Sequence, residues 1–149
     1  MIAPRTAAEG PGIRAAVWVT SCAIRCPGCV NPHLWNAAGG RDLAVEEIMA
    51  EIGKAVLPEG IMLLGGELFD QAPGLAALAE SVRREGLSVM TFTGYLCEEL
   101  LARPNAAGLL AATDLLVDGP YLRDLPDCRP GTLVRRRPDR CIPAGDPGP

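Results

Sequence analysis

The chain has 149 residues, 48% of them hydrophobic, and a formal net charge of −4. That make-up fits one soluble globular domain over residues 1–149 with enough chain to bury a core. The acidic balance argues against nucleic acid as a partner. No apolar run is long enough to span a membrane, and Met1 to Gly12 lacks the plan of a signal peptide. Six cysteines without a secretion signal point to a reducing, cytoplasmic setting and to metal rather than disulfides.

Taken in order, Arg14 to Ser21 is an apolar, β-branched run and reads as the first strand. Its end delivers Cys22, Cys26 and Cys29, spaced C-x3-C-x2-C. Thiolates are the usual ligands of iron–sulfur clusters, and a [4Fe–4S] cubane normally takes four. Three in one loop would leave one iron open to a substrate or cofactor. Two other readings stand beside this one: a zinc site completed by His33, or ordinary buried thiols.

Ala44, Ile48, Ile52 and Val56 recur at helical spacing, so residues 43–57 are expected to be a helix, broken by Pro58-Glu59-Gly60. Ile61 to Leu64 is a buried strand ending in Gly65-Gly66. Leu75, Leu78, Ala79 and Val82 predict a second helix closed by Gly86. Leu87 to Thr93 is a strand and Glu98 to Arg103 a helix. Pro104 interrupts, a short turn follows, and Asp114 to Asp118 is a strand. This alternation predicts α/β architecture with a mainly parallel sheet. Four units are too few to close a barrel of about eight. From Asp124 on, Pro, Gly and Arg accumulate, and residues 125–149 are expected to form an irregular tail.

The functional loops all follow strands, and parallel sheets gather ligands at the carboxyl ends of their strands. The cysteines follow the first strand, Gly65-Gly66-Glu67 the second, Thr93-Gly94-Tyr95 the third and Asp118-Gly119 the fourth. Glycines at 65 and 66 admit close backbone approach, although Gly-Gly also makes plain turns. Thr93 and Asp118 suit polar groups of a ligand, but an aspartate at a strand end is also a routine helix cap. Trp35 either screens the cysteine loop from water or is ordinary core. Arg14 and Arg25 offer positive charge to an anionic cluster, or are surface side chains. Cys97 reads as a small buried apolar residue, and Cys128 and Cys141 are too dispersed for a second cluster.

Several pieces stand in a telling order: Gly10-Pro11-Gly12-Ile13-Arg14, the C-x3-C-P-G-C run, Asn31-Pro32-His33-Leu34-Trp35, Gly65-Gly66-Glu67, Thr93-Gly94-Tyr95, and Asp114 to Tyr121. The set resembles the radical S-adenosylmethionine superfamily, and within it the small activases of glycyl radical enzymes, above all that of anaerobic ribonucleotide reductase. The resemblance implies an open partial (β/α) barrel. It implies a [4Fe–4S] cluster on Cys22, Cys26 and Cys29, with S-adenosylmethionine on the open iron. Gly65, Gly66 and Glu67 would lie at its methionine end, and Thr93 and Asp118 would contribute further cofactor contacts.

The implied activity is that of an oxidoreductase. An external one-electron reductant, such as a flavodoxin or ferredoxin, drives cleavage to methionine and a 5′-deoxyadenosyl radical. The radical takes a hydrogen atom from a backbone glycine of a partner enzyme. A small radical enzyme of a biosynthetic pathway, acting on a peptide or small molecule, is the alternative within the superfamily. An iron–sulfur electron carrier is the alternative of another class. Arg129-Pro130-Gly131-Thr132-Leu133-Val134 departs from the R-G-S-S-N-Q type segment of ribonucleotide reductase activases, so the partner interface is expected to differ there.

Overall fold

A computed structural model describes residues 1–8, 10–54, 58–123 and 134–136. Among these residues six strands, β1 (Ile2–Thr6), β2 (Arg14–Val19), β3 (Gly60–Gly65), β4 (Ser88–Phe92), β5 (Leu115–Val117) and β6 (Val134–Arg136), form one sheet in the order of the chain. The four central strands run parallel, and β1 and β6 lie antiparallel at the two edges. Between them stand α1 (Val45–Ile52), α2 (Ala72–Arg84), α3 (Cys97–Ala102) and α4 (Ala106–Ala112).

Strand order equal to chain order has a direct consequence. Right-handed crossovers between successive parallel strands place every connecting helix on the same face of the sheet. Alternate strand residues point to opposite faces. Ala15, Val17, Ile61, Leu63, Val89 and Leu116 thus pack with Leu75, Leu78 and Val82 of α2 and Leu109 of α4 in one helix-covered core. Their neighbours Ala16, Met62, Leu64 and Met90 form a smaller apolar cluster on the other face, joined by Trp18, Phe92 and Val117 and, among the described residues, by no helix. The sheet is therefore an open partial barrel, with the described helices on one side.

Local chemistry accounts for most of the helix ends. Glu47 reaches back to accept the Ala44 N–H at 2.8 Å, and Glu99 does the same for the Leu96 N–H at 2.7 Å. Pro73 sits in the first turn of α2, where its missing N–H costs nothing. Gly86 ends that helix with φ +77°, the left-handed conformation typical of a glycine past a C-terminus.

Several elements differ from the spacing-based expectation. The first helix is Val45–Ile52 rather than 43–57, and residues 55–57 lie outside the described ones. Residues 106–112, expected as a turn after Pro104, form α4. Burial accounts for it: Ala106, Leu109, Leu110 and Ala112 pack into the helix-side core. The edge strand β1 was not anticipated. It carries Pro4, which an edge strand tolerates because one row of its backbone groups needs no partner. Val134–Arg136 forms a strand within the segment expected to be irregular; the rest of residues 124–149 lies outside the described ones.

Leu78, 1% exposed, is a central contact between α2 and the sheet. Leu78→Ala should lower unfolding stability by about 2–5 kcal/mol, from lost transfer energy plus a residual cavity. Urea unfolding should show a lower midpoint with an unchanged slope.

Candidate functional site

The loop leaving β2 is strained where it bears the cysteines. Among the described residues three non-glycine positions have positive φ, and two of them are here: Ser21 at 76° and Arg25 at 52°. Such conformations cost energy and persist only where surrounding contacts enforce them. Gly28, between Cys26 and Cys29, takes φ +76° at no such cost. Internal bonds shape the loop further. The Cys29 N–H donates to the Cys26 carbonyl at 3.1 Å, and the Asn31 N–H points at the Cys29 Sγ at 3.4 Å. A 3-10 turn over Pro32–Leu34 then folds the chain back, so that the Cys22 N–H donates to the Trp35 carbonyl at 3.2 Å.

The loop rests on the segment that follows β3. Gly66 and Glu67 donate their N–H groups to the Val19 and Ser21 carbonyls at 2.9 and 2.7 Å. Neither glycine of the pair tolerates a side chain. A Cβ on Gly65 would run into the Val19 backbone, and one on Gly66 into the Ser21 carbonyl. The Ala23 N–H donates to Asp70 Oδ2 at 3.1 Å, and the Gln71 side-chain amide donates to the Thr20 carbonyl at 2.9 Å. Val19, Thr20, Ser21 and Ala23 of one loop are thus held by Gly66, Glu67, Asp70 and Gln71 of the next.

Glu67 joins this pair of loops to a third. Its side chain is 1% exposed. Oε1 accepts the Phe69 N–H at 3.0 Å and the Thr93 hydroxyl at 2.8 Å, and Oε2 accepts the Gly94 N–H at 3.0 Å. Burial raises its pKa, and the hydrogen bonds from Phe69, Gly94 and Thr93 oppose that rise without cancelling it. Gly94 in turn lies against the cysteine loop: a Cβ there would meet Ile24 Cδ1 at 2.8 Å and stand 3.8 Å from Cys26 Sγ.

The candidate residues from the sequence thus reach one rim, and their side chains are busy in particular ways. The Thr93 hydroxyl donates to Glu67 and accepts the Tyr95 N–H at 3.1 Å. Asp118 accepts the Cys97 N–H at 2.8 Å, at the start of α3, in the manner of a helix cap. Arg14 does not approach the cysteines. It opens β2 at the opposite end, buried, with Nε donating to the Pro11 carbonyl and Nη1 to Ser88 Oγ and the Ile61 carbonyl. Desolvation lowers its pKa.

Asp70 and Arg103 were not singled out by the sequence. Asp70 Oδ1 accepts both the Tyr95 hydroxyl and Arg103 Nη2 at 3.2 Å, and the Arg103 guanidinium stacks 4.0 Å from the Tyr95 ring centroid. The signal available was the Asp three residues past Glu67, but its partners come from two distant segments. Burial pushes the Tyr95 pKa up, with Asp70 adding to the rise and Arg103 opposing it.

Cys22, Cys26 and Cys29 are free thiols. Cys97 is fully buried in the helix-side core, as expected, but it is disulfide-bonded, which corrects the general expectation that the cysteines of this chain form no disulfides. Cys128 and Cys141 lie outside the described residues. No group of three His, Cys, Asp or Glu side chains among the described residues stands close enough together to hold a metal ion. What fits a cluster is the donor set: three soft thiols in one pre-shaped loop, with a backbone N–H on one sulfur.

Comparison with known proteins agrees with that chemistry. The family of the 4Fe–4S single cluster domain matches residues 8–134. The anaerobic ribonucleoside-triphosphate reductase-activating protein of Salmonella typhi is 32% identical over 80% of this chain and 81% of its own. This chain belongs to that family of iron–sulfur activating proteins. The namesake from Escherichia coli (strain K12) is 30% identical over the same shares of 80% and 81%. The pyruvate formate-lyase-activating enzyme of Clostridium pasteurianum is 33% identical over 73% of this chain and 46% of its own. Among the described residues no helix is long and apolar enough to cross a membrane.

The buried carboxyl of Glu67 gives a test of the rim's construction. Its pKa is raised in the folded chain, so the folded state holds this proton more tightly than the unfolded one. The resulting stability is full below the ordinary value of 4.5 and is lost as pH rises through the raised folded value. Glu67→Gln has no such proton. Its stability deficit against the parent chain should be largest at acid pH and shrink as pH rises from about 4.5 toward neutrality. Urea midpoints of both chains across that range measure it. A constant deficit would contradict the raised pKa.

Proposed function

We propose that this chain is a radical S-adenosylmethionine activase, holding its cluster on Cys22, Cys26 and Cys29 and setting a radical on a backbone glycine of a glycyl radical enzyme. The observation that carries the reading is the rim itself. Three free thiols in a strained loop are braced by Gly65, Gly66 and Glu67 and capped by Gly94. The named activities of the relatives from Salmonella typhi and Clostridium pasteurianum support it.

The chemistry supplied when cluster and S-adenosylmethionine are bound is one-electron reductive cleavage of the sulfonium to methionine and a 5′-deoxyadenosyl radical. The protein's part is binding, orientation and exclusion of water. Gly65 and Gly66, both half-buried, hold the β3 loop against the cysteine loop, and this segment would lie at the methionine end of the cofactor. Glu67, with three donors on its carboxyl group, serves this site by fixing the spacing of the β3 and β4 loops. Thr93 is fixed by the same bond, and Asp118 orders the start of α3 beside it. The electron comes from an external reductant of the flavodoxin or ferredoxin class.

The open architecture favours a protein substrate. Small-molecule sites bury most of their ligand. Here the four parallel strands carry the described helices on one face, and the rim at their carboxyl ends is reached from the side by a loop of a partner.

Anaerobically reconstituted protein should carry one oxygen-sensitive [4Fe–4S] cubane per chain, and Cys26→Ala should lose it by iron and sulfide analysis. Reduced protein with S-adenosylmethionine should release 5′-deoxyadenosine. Added glycyl radical enzyme should then show a glycine-centred doublet by EPR. Turnover of a small molecule or free peptide without that doublet would refute the activase reading. A full cubane in Cys26→Ala would refute the ligand assignment.

A further inference from the structure

One contact joins the first and the fourth loop of the rim. A Cβ built on Gly28, between Cys26 and Cys29, would stand 2.6 Å from Arg123 Nε, 3.0 Å from its Cζ and 3.2 Å from its Cβ. The Arg123 side chain therefore lies across the Gly28 backbone from its Cβ to its guanidinium. Arg123 belongs to the segment leaving β5, at the other edge of the four parallel strands from β2. It takes part in none of the ion pairs made among the described residues. Arg103, by contrast, is paired with Asp70, and Arg14 opens β2 at the opposite end.

This contact bounds the distance from a permanent cation to the cysteines. With a carbon–carbon bond of about 1.5 Å, Arg123 Cζ lies within about 4.5 Å of the Gly28 Cα. Neighbouring Cα atoms are about 3.8 Å apart, and a cysteine Sγ reaches about 2.8 Å from its own Cα. Whatever the rotamer of Cys29, its Sγ is thus within about 11 Å of the Arg123 Cζ, close to one screening length in dilute salt.

We propose that Arg123 is a charge-tuning residue: its cation, held over the Cys26–Cys29 turn, raises the reduction potential of the bound [4Fe–4S] cluster. The inference rests on the cluster reading above. One-electron reduction adds a negative charge to a centre held by three thiolates, and a nearby cation stabilises that state. The effect acts through space and needs no bond to a sulfur. Net charge is among the settings of a cluster's potential. The electron from the external reductant is then easier to accept.

The test is a potentiometric titration of the reduced-cluster EPR signal in the full, anaerobically reconstituted chain. Arg123 is exposed, so its substitution leaves the core untouched. At equal iron content, Arg123→Lys should keep a midpoint near that of the parent. Arg123→Gln should shift it to more negative values, and Arg123→Glu further in the same direction. The difference between parent and Arg123→Gln should shrink as salt rises from about 0.1 M to about 1 M, because the screening length falls from about 10 Å to about 3 Å. A merely structural role would not follow charge or salt in this way. Equal midpoints in the parent, Arg123→Gln and Arg123→Glu overturn the proposal, as does an Arg123→Lys shift as large as that of Arg123→Gln. Iron loss in both Arg123→Lys and Arg123→Gln marks a structural role and overturns it too. A parent chain that assembles no cluster at all would instead overturn the reading beneath it.

Discussion

A single residue, Glu67, holds three loops of this protein in register. It is buried to 1% exposure and accepts hydrogen bonds from its own loop at Phe69 and from the β4 loop at Thr93 and Gly94. Its backbone N–H meanwhile holds Ser21 at the root of the cysteine loop. A buried carboxyl is costly unless its hydrogen bonds are satisfied. That cost makes the arrangement selective: displacing any one of the three loops leaves buried polar groups without partners. The glycines before Glu67 complete the constraint, because the Val19 and Ser21 backbones occupy the space that side chains at 65 and 66 would need.

The position of this brace follows from topology. Successive parallel strands in chain order send every loop of the same kind to the same edge and every helix to the same face. The rim is thus assembled from segments tens of residues apart without any special device. Each loop contributes only a few residues, and the apolar core under α2 and α4 supplies the rigidity. Strain concentrates where the chemistry is expected, at Ser21 and Arg25.

Two roles expected of the rim divide differently between side chain and backbone. Thr93 and Asp118 stand at the expected strand ends, yet both use their polar atoms to order the protein: Thr93 on Glu67 and Tyr95, Asp118 on the first turn of α3. Asp70 extends the same principle outward, linking Ala23 of the cysteine loop to Tyr95 and to Arg103. Much of the polar chemistry at this edge is therefore invested in the shape of the cysteine loop.

The sequence alone determined the α/β class, the four parallel strands and the convergence of their following loops, because strand and helix periodicities and glycine breaks are local properties of the chain. It also marked the cysteine triplet, whose spacing is itself the signal. It did not reveal α4, whose Ala106, Leu109, Leu110 and Ala112 are buried in a core that distant segments supply. Nor did it reveal that Arg14 is anchored at the far end of β2, since a basic residue two positions past a glycine carries no sign of Ser88 or the Ile61 carbonyl. The brace at Glu67, the hub at Asp70 and the contact of Arg123 with Gly28 belong to tertiary structure for the same reason. Each is defined by contacts between segments that only folding brings together, and composition and spacing carry no record of those distances.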